Sequence, residues 1–404
     1  MSLVKNKQIL YTAGLMLFFW SIYDGILSYI TPILMESRGL SNTQIGLLIS
    51  VSAVSGAIFD FIISKVFRFS HYLRYFIFVF IICLTYPLLL WSTDHWAIYL
   101  LLMSAWGLIY DFINFGIYDL SARISHRSEH TQNITIIGTF KSVGYFIGPL
   151  LIAYLITNWS LSPTSLYFIY LFLAISLCFY VVLFSISSPS GFFDNGPRQV
   201  ISLRWRGEIK LWRQFSHILF PILLFNTLFY IFDSAFWTIG PIFSQQFPEF
   251  KNFSILFMVV YVLPAVFVAK FAETLTSRFG KKRTAYLAFI VSSLFLLPFH
   301  FVSTPHLLLA LVFCSTIFGT LAWSATAGAF IDYVSESDIH DNEIIGLKDF
   351  SANIGYIIGP TLAGITSDLF GIRSTFSLLG LLCIFVTVYL FFITPRHINV
   401  QIKN

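Results

Sequence analysis

Apolar runs of about 20 residues, long enough to cross the hydrocarbon core as helices, alternate along this chain with short polar breaks. With breaks taken at charge clusters, Pro and Gly, twelve runs stand out, at 9–34, 43–64, 72–92, 96–120, 133–157, 163–186, 215–243, 252–271, 284–302, 305–331, 343–368 and 373–394. The pattern predicts an all-α polytopic membrane protein with twelve transmembrane helices. The first run follows a polar start, Met1–Gln8, and shows no small-residue cleavage site, so it reads as a retained span rather than a signal peptide. The longest polar stretch, 187–214, has six runs on either side. The expected organisation is therefore an N-terminal half at 1–186, a cytoplasmic linker at 187–214 and a C-terminal half at 215–404.

Composition agrees with the pattern. The chain is 57% hydrophobic and 11% charged, whereas soluble domains carry about 25% charged residues. A chain so poor in charge cannot cover a water-facing surface. Charge placement then orients the spans. With the N-terminus in the cytoplasm, only Arg38, Lys251 and Arg373 face outward and Lys141 falls inside a span, leaving 20 of the 24 Lys and Arg inside. That bias satisfies the positive-inside rule and puts both termini in the cytoplasm. The formal net charge of +5 is spread over the breaks between spans, as membrane topology requires, so no nucleic-acid partner is expected. The basic segment Arg204, Arg206 and Lys210 reads as an interfacial part of the linker. Cys83, Cys178, Cys314 and Cys383 all lie in apolar runs, without CxxC or His/Cys metal spacing. There is no nucleophile motif and no paired His, so neither an enzyme nor a metal or other cofactor is expected.

The two halves repeat. Tyr23-Asp24 precedes Pro32 as Phe232-Asp233 precedes Pro241, with eight residues from Asp to Pro in both and an offset of 209. Gly144-Tyr145-Phe146-Ile147-Gly148-Pro149 matches Gly355-Tyr356-Ile357-Ile358-Gly359-Pro360 at offset 211, and Gly107 with Gly116 matches Gly319 with Gly328 at offset 212. Small residues four apart let helices approach closely, and Pro149 and Pro360 each remove a backbone bond and permit a bend. Two six-span halves repeated in parallel are a transporter architecture. The sequence resembles the major facilitator superfamily over nearly its whole length. The family's loop signature, G-x-L-A-D-R-x-G-R-K, survives between spans eight and nine as Leu275-Thr276-Ser277-Arg278-Phe279-Gly280-Lys281-Lys282, with Glu273 and Ser277 standing where Gly and Asp belong. Its copy between spans two and three keeps only Gly56 to Asp60. The resemblance implies a helix-clamping role for Arg278, Gly280 and Lys281. The Gly-x-x-x-Gly-Pro element resembles a fifth-span motif of drug and proton antiporters.

Charges inside the membrane need a reason, because each costs about 2.5–3.5 kcal/mol at the bilayer centre. Asp24 and Asp233 lie near the middles of spans one and seven. Asp24, Ser28 and Thr31 make one polar stripe, and Asn226, Tyr230, Asp233 and Trp237 make its equivalent. The resemblance places spans one, four, seven and ten around a central cavity. Asp111 and Lys141 sit roughly 12–13 Å from the cytoplasmic ends of spans four and five. This matching depth predicts an ion pair, with Asn114 one turn away. Trp20, Tyr23, Trp106, Tyr110 and Trp323 offer aromatic surface for an apolar or cationic solute. The acidic stretch Asp332–Glu343 reads as a solvated cytoplasmic loop.

An intramembrane carboxylate can take up and release protons near neutral pH. Asp24 and Asp233 are the candidates for that exchange. The expectation is a monomeric, multi-pass inner-membrane secondary transporter, coupled to protons, working by alternating access on a small-molecule substrate. Efflux of a hydrophobic compound leads. Uptake of a small nutrient, and a transporter-like sensor without flux, are the alternatives.

Overall fold

The computed structural model describes residues 2–66, 71–124, 130–159, 164–187, 205–247, 251–336 and 341–395, and among them it contains helices and no strand. They fall into two compact units, 1–39 with 51–199 and 40–50 with 200–404. Most of the expected linker, 188–204, lies outside the described residues.

The first unit is built from α1 (Ser2–Ser37), α2 (Asn42–Val66), α3 (Tyr72–Ser92), α4 (Trp96–Ile124), α5 (His130–Trp159) and α6 (Thr164–Ile186). Residues 40–50, including the first turns of α2, pack with the second unit. The second unit runs through α7 (Trp205–Ile218), α8 (Phe220–Ser244), α9 (Lys251–Val262), α10 (Pro264–Phe267), α11 (Ala269–Phe279), α12 (Lys281–Leu294), α13 (Pro305–Glu336), α14 (Asp341–Phe370) and α15 (Ile372–Ile393). In the first unit α1 packs chiefly against α5 and α6; in the second α8 packs against α14, and α12 against α13 and α15. Among the described residues, ten helical stretches are long and apolar enough to cross a membrane.

Proline explains where the helices depart from the twelve expected runs. Pro264 has no N–H for the carbonyl of Val260, and the run 252–271 divides into α9, α10 and the start of α11. The freed Val260 carbonyl accepts from Thr316 Oγ1 at 3.3 Å, the kind of side-chain repair a bilayer demands. Pro298 likewise cannot bond Leu294, where α12 ends; a short 3₁₀ turn, Leu297–His300, follows. The run 215–243 is split between the end of α7 and α8. Pro87 sits inside α3 without breaking it, and the carbonyl it frees, that of Cys83, accepts from Tyr23 Oη at 2.8 Å. The run 343–368 is one 30-residue helix, α14. Two of its polar side chains are met within the unit: Ser351 accepts from Asn226, and Thr361 Oγ1 lies 2.8 Å from Ser50 Oγ.

The third-in-half helices start in comparable ways. Asp119 near the end of α4 accepts from the Tyr72 N–H at the start of α3 at 2.9 Å, and from Arg123 at 2.7 Å. Asp332 near the end of α13 holds Lys281 at the start of α12 at 2.5 Å.

Candidate functional site

Each unit holds one intramembrane Asp from its first long helix against a Tyr from its Gly-Tyr-x-x-Gly-Pro element. In the first unit the glycines set the geometry. A Cβ added at Gly144 would lie 2.4 Å from the Phe18 carbonyl oxygen, and one at Gly148 would lie 2.7 Å from that of Ile22. Only glycine lets α5 come this close to α1. The approach carries Tyr145, next to Gly144, onto Asp24.

Asp24 is 1% exposed. Its Oδ2 accepts from Tyr110 Oη at 2.6 Å and from Tyr145 Oη at 2.8 Å, and its Oδ1 accepts from Trp106 Nε1 at 3.0 Å. Three helices, α1, α4 and α5, thus meet at one carboxylate. Lys141, one turn before Tyr145, lies 5.9 Å from the Trp20 ring centroid, within cation–π range.

The expected Asp111–Lys141 ion pair is therefore not made. Asp111 is buried and turns towards α2, where a Cβ at Gly56 would be 3.4 Å from its Oδ1. Lys141 turns towards α1. Equal depth on two helices does not give them facing sides, and the packing of α5 on α1 decides where Lys141 points. Asn114 does join Lys141. With Ile117, Tyr118, Ile134, Ile137 and Gly138 they line a cavity of about 130 Å³ between α4 and α5.

The second unit repeats the frame with different neighbours. A Cβ at Gly355 would lie 2.5 Å from Tyr230 Cβ and 2.7 Å from the Thr227 oxygen, and one at Gly359 would lie 2.7 Å from the Ile231 oxygen. Tyr356 Oη donates to Asp233 Oδ2 at 3.0 Å, and Tyr261 Oη of α9 donates to Oδ1. Tyr230 packs on the Tyr356 ring at 5.1 Å between centroids, and Trp237 meets Tyr261 edge-on at 6.2 Å. Asn226 is placed elsewhere: its Nδ2 donates to Ser351 Oγ at 2.8 Å and to the Lys348 oxygen at 3.2 Å. Buried at the α8–α14 contact, it ties two helices together and does not join Asp233.

Pro149 and Pro360 lie within α5 and α14 directly after the second glycine of each element. In the loop signature, Gly280 has φ +81° and its N–H caps α11 on the Thr276 oxygen at 2.9 Å, a turn that favours glycine. Lys281 donates to Asp332 and to the Gly328 oxygen, at 2.5 and 3.2 Å. Arg278 is exposed at the end of α11. Asp332 belongs to the last turns of α13, not to a loop. The side chains of Asp60, Glu336, Asp338, Asp341 and Glu343 lie outside the described residues.

Tyr145, Tyr356 and Tyr261 are the site residues that sequence reasoning missed. The first two carried a signal, since they occupy the same place in a repeated element. Tyr261 carried none, because its helix is the one broken by Pro264.

The sequence matches the Major Facilitator Superfamily model over residues 9–269 and again over 222–403, and the chain belongs to that superfamily. No curated protein matches it. Among solved structures it is similar to a bacterial homologue of the human lysosomal transporter Spinster, crystallised inward-facing and unoccupied (12% identity, 96% of each chain covered, TM-score 0.69). It is also similar to the nucleoside transporter NupG (12% identity, 96% of this chain and 98% of that chain, TM-score 0.72). A third is the peptide transporter POT in complex with sulfate (12% identity, 96% and 94%, TM-score 0.75). At these identities the likeness shows the fold alone. The protein is a multi-pass membrane protein with the fold of major facilitator transporters.

Proposed function

We propose that the protein is a proton-coupled secondary transporter of the inner membrane, working by alternating access, with Asp24 and Asp233 as the proton-exchanging groups. The observation that carries this reading is the Asp–Tyr hydrogen bond present in both units, Asp24 with Tyr145 and Asp233 with Tyr356. A carboxylate has about four acceptor sites and protonation converts one of them to a donor. Proton uptake at Asp24, at the acceptor site of Oδ1 that Trp106 leaves open, removes the negative charge and weakens the charge-assisted bonds from Tyr110, Tyr145 and Trp106. Tyr145 sits on the Gly-Pro helix, so gaining a proton loosens one of the bonds that hold α5 to α1. The same logic links Asp233 to α14 through Tyr356.

The substrate is a small molecule. The aromatic surround of Asp24 favours an apolar or cationic solute, and efflux of a hydrophobic compound is the leading direction. Uptake of a small nutrient is the second reading. Purified protein in proteoliposomes under an imposed pH gradient tests the coupling. Asp24→Asn removes the titrating group, and gradient-driven flux is expected to vanish while exchange of substrate across the membrane continues. Undiminished gradient-driven flux in that variant would overturn the assignment. Binding of substrate without flux in the unmodified protein would make it a sensor.

A further inference from the structure

From Ile231 to Ser244 every residue of α8 is buried except Asp233 and Trp237. Tyr230, three positions before Asp233, is the next open residue towards the helix start. Positions i, i+3 and i+7 fall on one face, so the helix presents a single strip of ring, acid and ring. A half-open carboxylate at mid-membrane does not face lipid, so this strip lines a water-accessible path. The strip is peculiar to the second unit. At the offset of 209 that relates Asp233 to Asp24, Tyr230 answers to Ser21 and Trp237 to Ser28. Ser21 is fully buried, and neither position carries a ring. The two units share the acid and the Tyr of the Gly-Pro helix. The flanking rings on α8 are an addition that proton exchange does not need.

Two more rings complete the surround. Tyr356 is 36% exposed and lies 5.1 Å from Tyr230 between centroids, and half-buried Tyr261 meets Trp237 at 6.2 Å. Each ring pair therefore contains one of the hydroxyls that donate to Asp233. A carboxylate has about four acceptor sites, and the two tyrosines take two of them. Among the described residues Asp233 makes no ion pair. Lys348, two turns before Tyr356 on α14, lies 3.6 Å from Asp349. An anion between two ring pairs, with acceptor sites left over, is complementary to a cation that has an apolar body. The carboxylate meets the charge, and the ring faces hold the groups around it.

We propose that Tyr230, Asp233, Trp237 and Tyr356 form the recognition site for an organic ammonium ion, which makes an amine the transported substrate. Such a site rests on the transporter reading above and narrows its substrate to one class. Asp24 is too enclosed to take the same ion.

The full-length protein in dodecyl maltoside, with no pH gradient, tests the site by equilibrium dialysis against phenethylammonium and benzyltrimethylammonium. Saturable binding of the cations is expected, and phenethyl alcohol, the uncharged twin of phenethylammonium, should bind at least about tenfold more weakly. Asp233→Asn should remove that preference. Trp237→Leu should weaken cation binding about fivefold, the effect of one ring face, while leaving both hydroxyls on Asp233. Because Trp237 lies on the open strip, that variant is expected to fold even if Asp233→Asn does not. No saturable binding of either cation, or phenethyl alcohol bound as tightly as its ammonium twin, would overturn the proposal. Unchanged cation affinity in either folded variant would also overturn it. Such a failure leaves the flux test of Asp24→Asn standing, because that test depends on the gradient and not on the charge of the ligand.

Discussion

Asp24 and Asp233 occupy equivalent places in the two units and share a Tyr partner, yet their surroundings differ. Asp24 is 1% exposed and held by three side-chain donors from α4 and α5. Asp233 is half-buried, has two tyrosine donors and takes the second of them from α9. The repeated element is the close approach of a Gly-Tyr-x-x-Gly-Pro helix to an Asp helix; everything else around the carboxylate has diverged. Helix-on-helix contact at glycine tolerates no extra atom, so it is the part a duplication cannot easily change. The flanking donors can be exchanged singly, because each contributes only one bond. The difference makes Asp24 the more tightly held acid and Asp233 the more available one.

The largest test of that contrast is truncation. Asp24→Ala leaves three donors without their acceptor and is expected to cost about 3 kcal/mol of stability or more. Asp233→Ala strands two donors in a wetter place and should cost clearly less. Thermal melting of the two variants in one detergent decides the point, and equal losses would remove the asymmetry. Next in size come the glycines. Gly144→Ala and Gly355→Ala each push a methyl into a facing helix, at 2.4 Å from an oxygen and at 2.5 Å from a Cβ. Each is expected to cost about 1–3 kcal/mol and to lower flux in proportion, since both displace the Tyr beside them. A variant that keeps full flux would detach the Gly-Pro element from the Asp–Tyr frame.

Single hydrogen bonds sharpen the comparison. Tyr145→Phe and Tyr356→Phe each remove one hydrogen bond to a carboxylate, worth about 1.5–3 kcal/mol. The pH of half-maximal flux should move further in Tyr356→Phe, because it removes one of two donors rather than one of three. The smallest effect lies outside the spans, at the starts of α3 and α12. His71 caps α3, its Nδ1 accepting from the Leu73 N–H at 3.3 Å, whereas Gly280 precedes α12 with no side-chain cap. Burial, followed by the Arg123 charge, pushes the His71 imidazole down to about 4. The folded state thus refuses a proton that the unfolded chain accepts below about 6.5. Stability is expected to be full above that pH and to fall as the pH drops towards 4. His71→Asn keeps a cap and should flatten that part of the melting profile, by about 1 kcal/mol once the shift is discounted for the ring's partial access to solvent.

Much of the frame is legible along the chain. Apolar runs with Lys and Arg between them define a polytopic helical protein, since the bilayer admits little else. The Asp…Pro match at offset 209 pairs α1 with α8 and the Gly-x-x-x-Gly-Pro match at offset 211 pairs α5 with α14, and within each unit the structure packs the one element on the other, α5 on α1 and α14 on α8. Pro264 and Pro298 mark the broken helices. Depth along a helix was readable too, because rise per residue is constant.

What the sequence could not decide is which way each side chain faces and what it meets there. Lys141 and Asp111 share a depth but not a side, and only the packing of α5 on α1 sends Lys141 towards Trp20. Asn226 belongs to a polar stripe, yet the contact of α8 with α14 turns it into a tie to Ser351. Tyr261 reaches Asp233 from a helix whose break gave no regular period to read. Helical periodicity locates residues on one cylinder, whereas the partners across a helix contact depend on rotation and approach distance, which are properties of two cylinders at once. The two acids and the two Gly-Pro elements were therefore determined by the sequence itself, and the tertiary structure alone joined them through Tyr145 and Tyr356.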